Sequence, residues 1–104
     1  MAQRPKGCQA VLMTAAGYIH NDGVQPRNVY ALVITATGAT AGDYIEFRNG
    51  TETGTIKMRI DIPAAAGIWS VDLGRYGIEF FVNCYVKFNL AGAVGTVKLT
   101  VIYG

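Results

Sequence analysis

The amino-acid sequence predicts an all-β fold: a single-domain, jelly-roll-like β-sandwich of about seven or eight antiparallel strands, with a short N-terminal arm over residues 1–7. Three observations predict it. Apolar and polar residues alternate with a period of two in run after run, the mark of a strand with one dry and one wet face. Turn-forming Gly, Asn and Pro separate those runs at a spacing of roughly 8–12 residues. No window carries the apolar stripe of an amphipathic helix. At 104 residues the chain has the size of one domain and can bury a core without staples.

In chain order, Cys8 to Ala15 reads either as a strand or as an extended arm leading into one. Asn21-Asp22-Gly23 and Gln25-Pro26 mark a loop. Val29 to Thr37 is apolar on both sides, which predicts a central strand covered on both faces. After the Gly38–Gly42 turn, Ile45 and Phe47 alternate with Tyr44, Glu46 and Arg48. Asn49-Gly50, followed by Gly54, predicts a hairpin; Asn49-Gly50-Thr51 also matches a glycosylation sequon, but without a signal peptide it reads as a turn. Thr55 to Ile62 is the cleanest run, with Ile56, Met58, Ile60 and Ile62 dry and Lys57, Arg59 and Asp61 wet. Pro63 to Gly67 leaves room for one helical turn at most.

Trp69, Val71 and Leu73 then alternate with Ile68, Ser70 and Asp72, and Gly74 to Gly77 turns the chain. Ile78 to Val82 is a short apolar strand continuing through a bend into the next run. There Cys84, Val86, Phe88 and Leu90 oppose Tyr85, Lys87 and Asn89. The last strand sets Val97, Leu99, Val101 and Tyr103 against Lys98, Thr100 and Ile102. An immunoglobulin-like sandwich is the near alternative, although Trp69 and Cys84 stand too close in sequence for its Cys–Trp–Cys framework.

Composition excludes several classes. The chain is 51% hydrophobic and 15% charged, the opposite of a disordered segment. Thr, Gly and Asn interrupt every charge-free stretch, so no membrane span and no membrane partner is expected. The net charge is only +2 and the basic residues are scattered along the sequence, so no nucleic-acid partner is expected either. Lys57-Met58-Arg59 is the nearest thing to a basic cluster, and Asp61 shares its face. The polar N-terminus has no apolar core of a secretory signal. Cys8 and Cys84 read as two reduced thiols, a pattern that fits synthesis in a reducing compartment.

Chemistry is sparse. The single His20 and the lone Ser70 cannot build a metal cage, and Ser70 lies mid-strand rather than on a nucleophile elbow. Asp61 and Asp72 could flank a shared surface as a glycosidase pair would, but no pattern singles them out. No catalytic residues, metal site or cofactor are assigned, and the protein is expected not to be an enzyme. Tyr18 and Tyr76 read as loop aromatics able to stack on a sugar or plug into a partner, against the plainer reading of rings folded back on a sheet edge. Trp69 reads as core.

The low charge points to assembly, since a free domain ordinarily carries roughly 25–35% charged residues on its surface. A surface of Thr, Ala, Gly, Asn and Tyr suits a protein whose exterior is covered by neighbours. A homo-oligomer, dimer or trimer, is expected. The run Gly38-Ala-Thr-Ala-Gly42-Asp-Tyr-Ile-Glu-Phe-Arg-Asn-Gly50-Thr-Glu-Thr-Gly54, the strand ending Ile62-Pro63-Ala-Ala-Ala-Gly67 and the closing Val97-Lys-Leu-Thr-Val-Ile-Tyr-Gly104 resemble small β-rich structural proteins of tailed bacteriophages, among them capsid decoration (cement) proteins and small tail or neck proteins. The resemblance covers most of the chain from Val29 onward and carries over no site residue. It implies a jelly-roll-like domain, assembly in the host bacterial cytoplasm, residence in the virion and contacts with the major capsid protein or another virion protein. Candidate contact residues are Arg4 and Lys6 in the arm, Tyr18, His20 and Arg27 before and at the start of the first long strand, and Tyr76. A tail or fibre module binding a host glycan or receptor through Tyr18, Tyr76 or Trp69 is the alternative.

Overall fold

The computed structural model describes residues 8–19, 27–39, 41–80, 83–91 and 96–104, with Arg27 described by its backbone alone. The strands are β1 (Gln9–Met13), β2 (Gly17–Tyr18), β3 (Arg27–Ala36), β4 (Tyr44–Asn49), β5 (Thr55–Asp61), β6 (Gly67–Asp72), β7 (Ile78–Phe80), β8 (Cys84–Asn89) and β9 (Val97–Tyr103). None of the described residues is helical. One antiparallel sheet has the order β1-β9-β3-β6, with β7 also on β3, and the other has the order β2-β8-β4-β5. Apart from the β4–β5 hairpin and the β6–β7 step, each strand crosses to the opposite sheet. This is the strand order of a jelly roll, not of an immunoglobulin sandwich.

The count of nine exceeds eight by one strand, β2, since β6 and β7 already read as separate runs in the sequence. β6 pairs with residues 31–36 of β3 and β7 with residues 27–29, so the two lie end to end along one edge of β3, interrupted at the Gly74–Gly77 turn. The two-residue β2 is too short to leave a periodic trace in the sequence. The bend expected between Ile78 and Asn83 is a change of sheet, because β7 and β8 belong to different layers. Phe81 and Val82 lie outside the described residues, as does the arm over residues 1–7.

Alternation drives one face of each sheet into a single core. Val29, Leu32, Ile34, Val97, Leu99 and Val101 from one sheet meet Ile45, Phe47, Cys84 and Val86 from the other, all at or below 2% exposure. At about 25 cal/mol per Å² of apolar area removed from water, this burial is the main term opposing chain entropy. The buried Asp43 ties the layer's edge together: its Oδ1 accepts the Ala91 amide at 2.9 Å and its carbonyl accepts the Ile62 amide at 3.0 Å.

Two expectations from alternation are corrected. Ile56 is not dry but 46% exposed, because a bulge leaves Lys57 without a partner on β4 and pairs Ile56 with Arg48 on the outer face. β3 is central in its sheet but not covered on both faces: Val33 is half-buried and Thr35 exposed on its outer side. A two-layer sandwich covers each sheet once, and a second bulge at Tyr30 shifts the pattern between Val29 and Ala31.

Cys8 and Cys84 are separate free thiols, half-buried and buried respectively. Burial pushes the Cys84 thiol well above its ordinary value of 9.0. A thiol reagent is expected to label Cys8 alone in the native protein and both residues after unfolding; fast native labelling of Cys84 would contradict this packing. The unfolded chain ionises at Cys84 where the folded chain does not, so this residue's contribution falls as pH rises above about 9.

Candidate binding faces

The outer side of β2-β8-β4-β5 collects side chains that are far apart in sequence. Antiparallel register sets them in cross-strand rows. Tyr18, Tyr85, Arg48 and Ile56 form one row; Lys87, Glu46 and Arg59 the next; Asn89, Tyr44 and Asp61 the third. On β4, β5 and β8 all of them but Ile56, which the bulge turns outward, belong to the wet half of the strand's alternation.

These residues hold one another. Arg48 Nη2 bonds Glu46 Oε1 at 3.1 Å, and its Nη1 donates to the Gly54 carbonyl at 3.1 Å. Its Nε is buried with no partner among the described residues. Glu46 is 6% exposed although it lies on an outer face, walled in by its row neighbours. Arg59 donates to Asp61 Oδ1 at 3.0 Å, and its guanidinium lies 3.7 Å above the Tyr44 ring. Asn89 Nδ2 donates to the Tyr44 hydroxyl at 2.7 Å. Tyr18 and Tyr85 stack edge to face at 5.1 Å. The cations Arg48, Arg59 and Lys87, with exposed Lys57 beside them, outnumber the carboxylates Glu46 and Asp61, so the face is basic and aromatic.

The expected contact residues are dispersed. Tyr18 lies on edge strand β2 against Tyr85 rather than on a loop tip. Tyr76 is at a loop tip and 78% exposed, with the Arg75 guanidinium 5.8 Å from its ring and its carbonyl accepting from Asn28 Nδ2 at 2.9 Å. Arg4, Lys6 and His20 lie outside the described residues, and so does the Arg27 side chain. Asp61 and Asp72 do not flank one surface: by register Asp61 is on the outer face of one sheet and Asp72 on the outer face of the other. Ser70 shares the face of Asp72 and is exposed.

Trp69 is half-buried and lines an open apolar cleft of about 280 Å³ between β5 and β6, together with Ile34, Ile60, Ile62, Pro63 and Val71. Among the described residues no three His, Cys, Asp or Glu side chains stand close enough to share a metal ion. No helix among them is long and apolar enough to cross a membrane.

Nothing in the sequence marks Tyr44, Arg48, Arg59, Tyr85 and Lys87 as a group. Their wet-side parity was legible; the strand order that sets β8, β4 and β5 side by side was not. No protein-family model matches the chain, and a search of curated proteins finds no relative.

Proposed function

We infer that the protein is a non-catalytic structural subunit of a bacteriophage virion, most simply a decoration or cement protein that docks on the capsid and raises the barrier to shell rupture. The observation that supports this reading is the basic, aromatic outer face of β2-β8-β4-β5, whose side chains are already fixed by mutual bonds. A rigid face loses little side-chain entropy on docking, and Tyr and Arg are the residues that anchor protein interfaces. Its charge suits an acidic surface on the major capsid protein. Jelly rolls serve many functions, so the fold by itself only admits the reading. Many weak contacts around a shell would add through multivalency.

Purified protein mixed with undecorated shells of the phage that encodes it is expected to bind saturably and stoichiometrically and to raise their rupture temperature. Replacing Arg59 and Lys87 together by Gln, which sets no new carboxylate beside the buried Glu46, is expected to weaken binding by about tenfold or more at low salt. Unfolding of the variant should stay within about 1 kcal/mol of the parent, because such exposed pairs contribute little. Undiminished shell binding by the variant would remove this face from the proposal.

The alternative, a tail or fibre module for a host glycan, is favoured by one observation, the 78% exposed ring of Tyr76 at a loop tip. It requires glycan binding that Tyr76→Ala abolishes, whereas the shell-binding reading leaves Tyr76→Ala unaffected.

A further inference from the structure

Strand β1 pairs with β9 on one side, and among the described residues no strand pairs with its other side. The backbone groups left open follow from the ladder, because hydrogen-bonded and non-hydrogen-bonded pairs alternate along antiparallel strands. The Thr37 amide donates to the Thr96 carbonyl at 2.9 Å, and the Asn28 and Gly104 amides each donate to the other's carbonyl at 2.9 Å. β9 therefore bonds β3 through Lys98, Thr100 and Ile102, and β1 through Leu99, Val101 and Tyr103. The bonded partners on β1 are Met13, Val11 and Gln9, so the amides and carbonyls of Ala10 and Leu12 point out of the open edge. β1 also lacks every device that blunts an edge: it has no charge, proline, glycine or bulge. It is apolar on both faces, with Leu12 62% exposed on the outer one and Val11 half-buried on the inner.

We propose that this edge pairs with β1 of a second copy of the chain, antiparallel about a two-fold axis that passes by Val11 perpendicular to the sheet. Three properties select a second copy. The first is register. Centred on Val11, all five residues of β1 find partners, and Ala10 with Leu12 forms the bonded pair in both directions, so each outward amide and carbonyl is satisfied. The second is packing. On the inner face Val11 meets the partner's Val11 at the closer, non-bonded spacing of about 4.5 Å between Cα atoms. On the outer face Leu12 lies beside the partner's Ala10, whose small side chain leaves it room, with the partner's Ile102 next in the row. The third is composition. Covering both Val11 and Leu12 takes a strand that is apolar on both sides and uncharged. The rim strands β5 and β6 carry charges on their outer faces; β1 meets both conditions and sets no charge opposite a like charge.

The inference goes beyond the virion reading and does not depend on it, because the test uses the isolated full-length chain and no shell. The chain should sediment as a dimer at about 100 micromolar and dissociate on dilution, since a single strand edge is a small interface. Amide hydrogen exchange tells this dimer from any other. The Ala10 and Leu12 amides should slow about tenfold or more in the dimer, while those of Val11 and Met13, already bonded to β9, stay slow at both concentrations. Ala10→Pro removes an outward amide from each copy but no bond to β9, so it should weaken the dimer about tenfold or more and leave the fold intact by circular dichroism. Leu12→Lys, a change at an exposed side chain that leaves the backbone alone, should weaken it by about tenfold as well.

A chain that stays monomeric at about 1 mM overturns the proposal. So does a dimer whose Ala10 and Leu12 amides exchange freely, or one that survives both substitutions. Protection of those amides that arises only on shells would give the edge to a strand of the shell protein and overturn the second copy as its occupant. Loss of shell binding with the dimer intact counts against the virion reading alone.

Discussion

Phe47→Ala is expected to cost about 3–5 kcal/mol, a large share of the roughly 5–15 kcal/mol that holds a domain folded. Phe47 is fully buried on β4, flanked by Met58 on β5 and Val86 on β8, and faces the opposite sheet. Backbone pairing on both sides prevents β4 from closing inward, so most of the ring's volume would remain as a cavity. The midpoint of thermal unfolding should fall by about 12 °C or more, given roughly 4–8 °C per kcal/mol for a domain of this size. Phe47→Leu should recover most of it, with a residual loss below about 1.5 kcal/mol. Equal losses in the two variants would mean that the ring's bulk does not fill this core.

Gly77→Ala comes second in expected size. Gly77 has φ of +66°, a region a side chain enters at a cost of about 1 kcal/mol. The added methyl would also collide with the Val29 carbonyl and lie 2.9 Å from the Tyr30 ring. The carbonyl is backbone of the central strand, so relief requires β7 to part from β3. The expected loss is about 2–4 kcal/mol in all. Gly74→Ala is the control: Gly74 has φ of +87° but open space where a methyl would stand, so strain acts there without collision. The first substitution should cost clearly more than the second. Equal costs would mean that the close approach of β7 to β3 is not what demands glycine.

Most of the architecture was legible because one face of every strand is dry. The alternation at Ile45 and Phe47, at Cys84 and Val86, and from Val97 to Tyr103 assigns each of those residues to the core side where it lies. Alternation failed where a bulge changes the parity. Lys57 carries no mark that it will go unpaired, and Ile56 was therefore placed in the core. It also failed at β3, where two apolar sides suggested two covers; the outer one is an open surface. The basic face was hidden for a different reason. Its members come from four strands, and period-2 patterning gives the direction of each side chain but not which strands are neighbours. Arg59 over Tyr44 joins residues of two hairpin-paired strands, whereas Tyr44 with Asn89 spans 45 positions.

The breaks in the sheet rims have a further consequence. A straight unpaired sheet rim is a template for ribbon growth and fibrils between copies of any β protein. Here the β5 rim is kinked at an unpaired lysine, and the rim along β3 is broken into β6 and β7. The two-residue β2 leaves a third rim too short to extend. Three of the four rims therefore lack a long template, and β1, five residues in unbroken register with β9, is left as the one continuous edge along which main chain could pair.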